Sequence, residues 1–167
     1  ELKSNVDFLF EYIDVYMEHR NFKEANVGFT GGEPTVNPHF IPFAKYLKEE
    51  YEAKYQDKWI ADFALTSNGA FSEKMGQAIM ENFCHATISY HSESDGKLKQ
   101  QVKDRILQLH YQGDMYECTV SVNVMFHAEY FNECKELCEF LQQHGVDFVP
   151  RVIGEEPDSK PSFAHQY

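Results

Sequence analysis

Glu33 stands behind two glycines and ahead of a proline, at the end of the run Val27-Gly28-Phe29-Thr30-Gly31-Gly32-Glu33-Pro34. An apolar strand-like segment ends here and delivers a carboxylate. Paired glycines let backbone approach a ligand closely and open dihedrals closed to other residues, while Pro34 stiffens the exit and removes a donor. The spacing therefore predicts a rigid loop that presents Glu33 to a site. Gly-Gly-x-Pro after a strand also suits a plain strand-to-helix turn, so the reading depends on what the rest of the chain brings beside Glu33.

The elements that position this loop alternate regularly. Leu2, Val6, Leu9, Ile13 and Tyr16 or Met17 recur at helical steps, predicting a helix over 2–19. A strand near Ala25 to Phe29 follows, then a helix from about Pro38 to Tyr55 with Ile41, Ala44, Leu47 and Tyr51 on one face. Trp59 to Thr66 reads as a strand, and Ser72 as the N-cap of a helix burying Met75, Ala78 and Ile79. His85 to Tyr90 is the next strand, and the polar loop 91–96 leads to a helix with Leu98, Val102, Ile106 and Leu109 in one stripe. Glu117 to Met125 is rich in β-branched residues, Tyr130 to His144 is a helix ended by Gly145, and Asp147 to Ile153 is the last strand.

Helices of this length between strands require parallel pairing with right-handed crossovers, since no hairpin reaches a parallel neighbour. The fold class expected is α/β, a partial (β/α) barrel over 1–154, with 155–167 a tail or linker toward a C-terminal region. Such barrels carry their chemistry at the C-terminal ends of the strands. There the chain places Gly31, Gly32 and Glu33, then Ser67 and Asn68, then Ser89, His91 and Glu93, then Asn123 and His127, and finally Arg151. Strand bodies read as apolar and strand ends as polar, a ring suited to a polar ligand across the barrel mouth.

Composition narrows the class. The chain has 167 residues, 43% hydrophobic and 15% aromatic, enough for one domain with a real core. No run approaches the roughly 20 apolar residues that span a membrane. An excess of 27 acidic over 15 basic residues gives a net charge of −12, which repels polyanions and argues against nonspecific nucleic-acid binding. Four cysteines without a staple-like framework point to a reducing compartment and hence the cytoplasm. Cys134 and Cys138 lie one turn apart on a stripe with Phe131, Leu137 and Leu141, and read as core residues rather than metal ligands.

The run Phe29-Thr30-Gly31-Gly32-Glu33-Pro34 resembles a motif of the radical S-adenosylmethionine (radical SAM) enzymes. Ala64-Leu65-Thr66-Ser67-Asn68-Gly69 is similar to that family's third-strand ending, and Ile88-Ser89-Tyr90 and Val122-Asn123-Val124 to its fourth and fifth strands. The resemblance spans Val27 to Ile153. It implies that Glu33, with Gly31, Gly32 and Pro34 around it, accepts the α-ammonium of S-adenosylmethionine. Ser67, Asn68, Ser89, Asn123 and Arg151 would complete the cofactor site, with backbone near Val152 and Ile153 against adenine.

The family's 4Fe-4S cluster is held by a Cys-x3-Cys-x2-Cys triplet upstream of this loop, and Cys84, Cys118, Cys134 and Cys138 do not form one. The resemblance therefore places the first strand and cluster loop ahead of Glu1. It further implies reductive cleavage of the cofactor to a 5′-deoxyadenosyl radical that abstracts hydrogen, with flavodoxin or ferredoxin as electron donor. Tyr90, His91, Glu93, Met125 and His127 would face the substrate, whose class leans to a peptide or natural product on family frequency alone. Two other readings stay open. Glu33, His91, Glu93, His127 and Glu129 suit a divalent metal in a hydrolase barrel, and the domain could bind a ligand without catalysing anything.

Overall fold

The computed structural model describes residues 2–153. Helices and strands alternate throughout: α1 (Leu2–Arg20), β1 (Glu24–Phe29), α2 (Phe40–Lys54), β2 (Ile60–Ser67), α3 (Glu73–Asn82), β3 (His85–His91), α4 (Gly96–Gly113), β4 (Thr119–Phe126), α5 (Phe131–His144) and β5 (Asp147–Val152). The strands form one parallel sheet in the order β1-β2-β3-β4-β5. Each strand pairs with the next in sequence, so the chain winds one way around an open, partial (β/α) barrel with β1 and β5 at its edges.

Local chemistry sets the boundaries. Ser72 Oγ accepts from Met75 N at 3.2 Å to open α3, and Asp95 Oδ1 accepts from Leu98 N at 2.9 Å to open α4. Gly145, at φ 70°, closes α5 in the left-handed conformation. Boundaries shift by a residue or two from the sequence expectation, and two of the shifts have a visible cause. His91 belongs to β3 because it pairs in register with Met125. Glu117 lies outside β4, at φ 57°, because a 3-10 turn over Asp114–Tyr116 must reverse the chain first. The expected tail, 155–167, lies outside the described residues.

The core sits between the helices and one face of the sheet. Ala61, Phe63 and Leu65 of β2, Ala86, Ile88 and Tyr90 of β3, and Val120, Val122 and Val124 of β4 are buried at alternate positions. Phe10 of α1 is fully buried and organises an aromatic cluster, stacked on Tyr55 at 5.1 Å and edge-on to Phe63 at 6.1 Å. Tyr51 closes that cluster to polar backbone, donating to Trp59 O at 2.8 Å and accepting from Ala61 N at 3.0 Å. Val6 and Met17 of the expected α1 stripe are buried and Leu9 and Ile13 pack against the core, while Phe10, outside that stripe, is the fully buried centre of the inward face. Cys134 is buried as expected of a core residue, whereas Phe131 is 57% exposed because it opens the helix beyond the sheet.

The opposite face of the sheet corrects a second expectation. Strand bodies are not apolar on both sides. Asn26 and Asp62 pair in register, as do Thr66, Thr87, Ser121 and Asp147 across four strands, and Ser89 with Asn123. All fall on the positions that alternate with the buried ones. His85 joins this face to its neighbours, with Nδ1 2.7 Å from Thr119 Oγ1 and Nε2 3.0 Å from Ser121 Oγ. The inner wall of the partial barrel is therefore a polar surface.

Candidate functional site

A cleft of about 780 Å³ opens at the C-terminal ends of β1, β2 and β3 and runs under the start of α4. The glycine loop after β1 forms one side. Gly31 and Gly32 have φ of 96° and 56°, a region that side chains with a Cβ rarely adopt. At Gly31 an added Cβ would meet nothing within 4 Å, so the requirement there is conformational rather than spatial.

This turn fixes Glu33 in a clasp. Its Oε1 accepts from Thr35 N at 3.1 Å, from Thr35 Oγ1 at 2.6 Å and from Ser67 Oγ at 2.8 Å. Its Oε2 accepts from Asn68 N at 2.7 Å. Each carboxylate oxygen offers about two lone-pair directions, so Oε1 is saturated while Oε2 retains acceptor capacity toward the cleft. Pro34 opens the short 3-10 turn that carries Thr35 back onto the carboxylate.

The second strand end is equally committed. Ser67, 3% exposed, donates to Glu33 and accepts from Gly69 N at 3.2 Å, and Asn68 Oδ1 accepts from Ala70 N at 2.8 Å. Gly69, at φ 77°, is pressed against Ile88 and Val102, where a Cβ would come within 2.9 and 2.8 Å. Ser67 and Asn68 therefore shape the cleft by holding Glu33 and the turn.

Ser89, His91 and Glu93 line the cleft from β3 and the loop beyond it. His91 Nδ1 lies 3.0 Å from Glu93 Oε1. Tyr90 also borders the cleft, but its side chain is only 2% exposed because strand alternation turns it to the helix layer. Burial, followed by the charge of Glu133, pushes the Tyr90 phenol up to about 12. A neutral, shielded hydroxyl replaces the expected substrate-facing group.

Four expected site residues stand apart from this cleft wall. Asn123 Oδ1 accepts from Arg151 Nε at 3.4 Å, and both occupy the inner face beyond Ser89. His127 Nδ1 accepts from Glu129 N at 3.3 Å and caps the 3-10 turn Ala128–Tyr130. Met125 pairs with His91 and Arg151 in one row across β3, β4 and β5. Among the described residues, no three His, Cys, Asp or Glu side chains converge as metal ligands, so the five residues of the hydrolase reading are not brought together. The cysteines are likewise dispersed: Cys84 is exposed, Cys118 and Cys134 are buried, and Cys138 is half-buried.

Two residues outside the motifs belong to the site. Thr35 is buried and supplies two of the four donors to Glu33. Its signal is a hydroxyl two residues after a strand-end carboxylate, the spacing of a side-chain cap. Lys99 lines the cleft from the first turn of α4 and is bound by Glu133 of α5 at 2.6 Å. Pairing with a residue so distant in sequence leaves no local signal.

Comparison with solved structures gives matches to anSMEcpe, an anaerobic sulfatase-maturating radical SAM enzyme. The structure described as native anSMEcpe with bound AdoMet and Kp18Cys peptide matches with TM-score 0.62 and 14% identity, over 84% of this chain and 41% of that chain. The chain has a radical SAM-like fold. The hexahistidine-tagged form with bound AdoMet matches with TM-score 0.62 and 13% identity over the same shares, and the complex with Cp18Cys peptide with TM-score 0.54 and 16% identity, over 75% and 37%. The chain thus spans about two-fifths of the length of these proteins. No family model matches the sequence, and no curated protein matches it. No helix among the described residues is long and apolar enough to cross a membrane.

Proposed function

We propose that the chain is the core of a radical SAM enzyme and that its cleft binds S-adenosylmethionine. The observation that carries this reading is the Glu33 clasp: a carboxylate fixed by four donors, with acceptor capacity left on Oε2, beside two glycines in left-handed backbone. Such a group is preorganised for a ligand ammonium, because the desolvation and ordering of the acceptor are already met by the fold. Ser89 borders the same cleft from β3, where it can contact the ligand's amino-acid or ribose portion. Asn123 and Arg151 extend the polar wall toward β4 and β5.

The donor set tests which cofactors fit. The cleft suits the polar, cationic end of S-adenosylmethionine. The dispersed cysteines do not suit an iron–sulfur cluster, whose thiolate ligands must converge, and the cluster is proposed to be ligated from outside the described residues. With both groups bound, the chemistry they supply is one-electron cleavage of the sulfonium and hydrogen abstraction by the resulting radical. The protein's own share is to hold the ammonium at Glu33, shape the pocket with Ser67 and Asn68, and present His91 and Glu93 to a substrate. That substrate is proposed to be a peptide or natural product, in line with the peptide complexes of the structurally similar enzyme. An electron donor of the flavodoxin or ferredoxin kind and a cytoplasmic setting belong to the same proposal.

The test is anaerobic reconstitution of the full-length protein with iron and sulfide, dithionite reduction, and assay for 5′-deoxyadenosine. Cluster-dependent product that falls roughly tenfold or more in Glu33→Ala is expected. A full-length protein that takes up no cluster and cleaves no cofactor would reject the reading.

A further inference from the structure

The four cysteines do not converge as a group, but two of them are neighbours. Cys84 and Cys118 each stand one residue ahead of the first register pair of β3 and β4, His85 with Thr119. Cys84 is held as an extension of the sheet: its N–H donates to Phe63 O at 2.9 Å and its carbonyl accepts from Thr119 N at 2.9 Å. Neighbouring parallel strands run about 4.8 Å apart, inside the roughly 4.4–6.8 Å Cα separation that a disulfide spans. The side chains of His85 and Thr119 meet on the inner face. Side chains alternate along a strand, so the two thiols one step earlier fall together on the helix side.

The two thiols differ in access. Cys84 is exposed, whereas Cys118 is only 3% exposed. Burial pushes the Cys118 thiol up to about 12, and Cys84 adds to that push. That influence places the two sulfurs within electrostatic reach of each other, in keeping with the register. Exposure opens Cys84 to an oxidant and leaves Cys118 behind it. Cys134, by contrast, is fully buried on α5, with its thiol donating to Met125 O at 3.5 Å.

We infer that Cys84 and Cys118 form a reversible oxidation site, in which Cys84 reacts with a low-molecular-weight disulfide of the glutathione kind and Cys118 resolves the product into an intrachain bond. In the first step the Cys84 thiolate attacks one sulfur of the oxidant, a mixed disulfide forms, and one glutathione leaves as its thiolate. In the second, Cys118 gives its proton to solvent and attacks Cys84 Sγ, and the other glutathione leaves. Two protein thiols lose two electrons, and one disulfide molecule is reduced to two thiols. The bond closes the β3-α4-β4 crossover into a covalent ring whose opposite end carries Ser89, His91 and Lys99 at the cleft. Transient disulfides of this kind are compatible with a reducing compartment. The site needs neither cofactor nor cluster, so it stands or falls apart from the cofactor reading.

The test is nonreducing peptide mapping of the full-length protein after anaerobic exposure to oxidised glutathione and blocking of the remaining thiols with N-ethylmaleimide. The wild type is expected to pass from a Cys84–glutathione adduct to a linked Cys84–Cys118 peptide pair, both reversed by dithiothreitol. Cys118 is ionised only sparsely near neutrality, so the conversion should quicken about tenfold per pH unit between about pH 7 and about pH 9. Cys118→Ala should halt at the adduct, and Cys84→Ser should leave Cys118 a free thiol. The wild-type map requires no variant to fold and decides by itself. An adduct on wild-type Cys84 that never converts, a bond from Cys84 to any other cysteine, or no modification at Cys84 overturns the inference.

Discussion

The Ser67 hydroxyl donates to Glu33 Oε1 at 2.8 Å, joining residues 34 positions apart across the ends of β1 and β2. The bond makes the carboxylate a structural part of the sheet's rim. Its geometry is set before any ligand arrives, and a change at either residue is felt by both fold and site.

Ser67→Ala should therefore have two separable effects. Removing one hydrogen bond to a charged group costs about 1.5–3 kcal/mol of stability, read by urea unfolding. S-adenosylmethionine affinity should fall roughly three- to tenfold as Glu33 loosens, read by calorimetry. Thr35→Val should act in the same direction by removing the hydroxyl donor to Oε1.

Gly31 and Gly69 share left-handed backbone but differ in surroundings. Gly31→Ala has open space, so its cost is the conformational penalty of about 1–2 kcal/mol. Gly69→Ala adds contacts within 2.9 Å of Ile88 and Val102, and overpacking raises its total by a further 1–3 kcal/mol or so. Denaturant midpoints should rank wild type above Gly31→Ala above Gly69→Ala.

Phe10→Ala should destabilise by about 3–5 kcal/mol, as for other buried aromatics. None of the residues of α1's aromatic cluster lines the cleft. At a temperature where the variant remains folded, its S-adenosylmethionine affinity should match wild type, whereas a parallel loss would show that α1 packing reaches the site.

Burial pushes the Cys118 thiol up to about 12 from an ordinary 9.0, with a smaller push from Cys84. The unfolded thiol ionises first, so the stability carried by the neutral folded form is complete below about pH 9 and declines as pH rises toward 12. Tyr90 acts in the same direction over the window from 10 to about 12. Melting temperature should drop as pH rises from about 9 toward 12, and Cys118→Val should make that drop smaller.

Element order and type were readable from the chain because each segment carries its own period: Val120, Val122 and Val124 alternate, and Leu98, Val102, Ile106 and Leu109 repeat by turns. Glu33 was readable because its glycines announce the backbone it needs. What escaped depends on distance in sequence. Nothing near Lys99 foretells Glu133, and nothing near His85 foretells hydroxyls on the next strand. Phe10 escaped for another reason. Helix α1 carries Phe8, Tyr12 and Val15 on its exposed side, 64–71% exposed, so apolar residues ring it and blur the phase of its buried face.

The two faces of the sheet divide the chain's tolerance of change. Cohesion comes from the helix side, where Phe10, Leu65, Ile88 and Val122 are nearly fully buried. The inner side carries hydroxyls, amides and carboxylates in solvent-accessible rows, where substitutions away from the Glu33 clasp cost little stability, typically within about ±0.5 kcal/mol. A lineage can therefore rewrite Asn26, Asp62, Thr87 or Asp147 without endangering the scaffold. New ligand preferences can be explored one side chain at a time, and the same backbone can drift between substrates faster than its core sequence drifts.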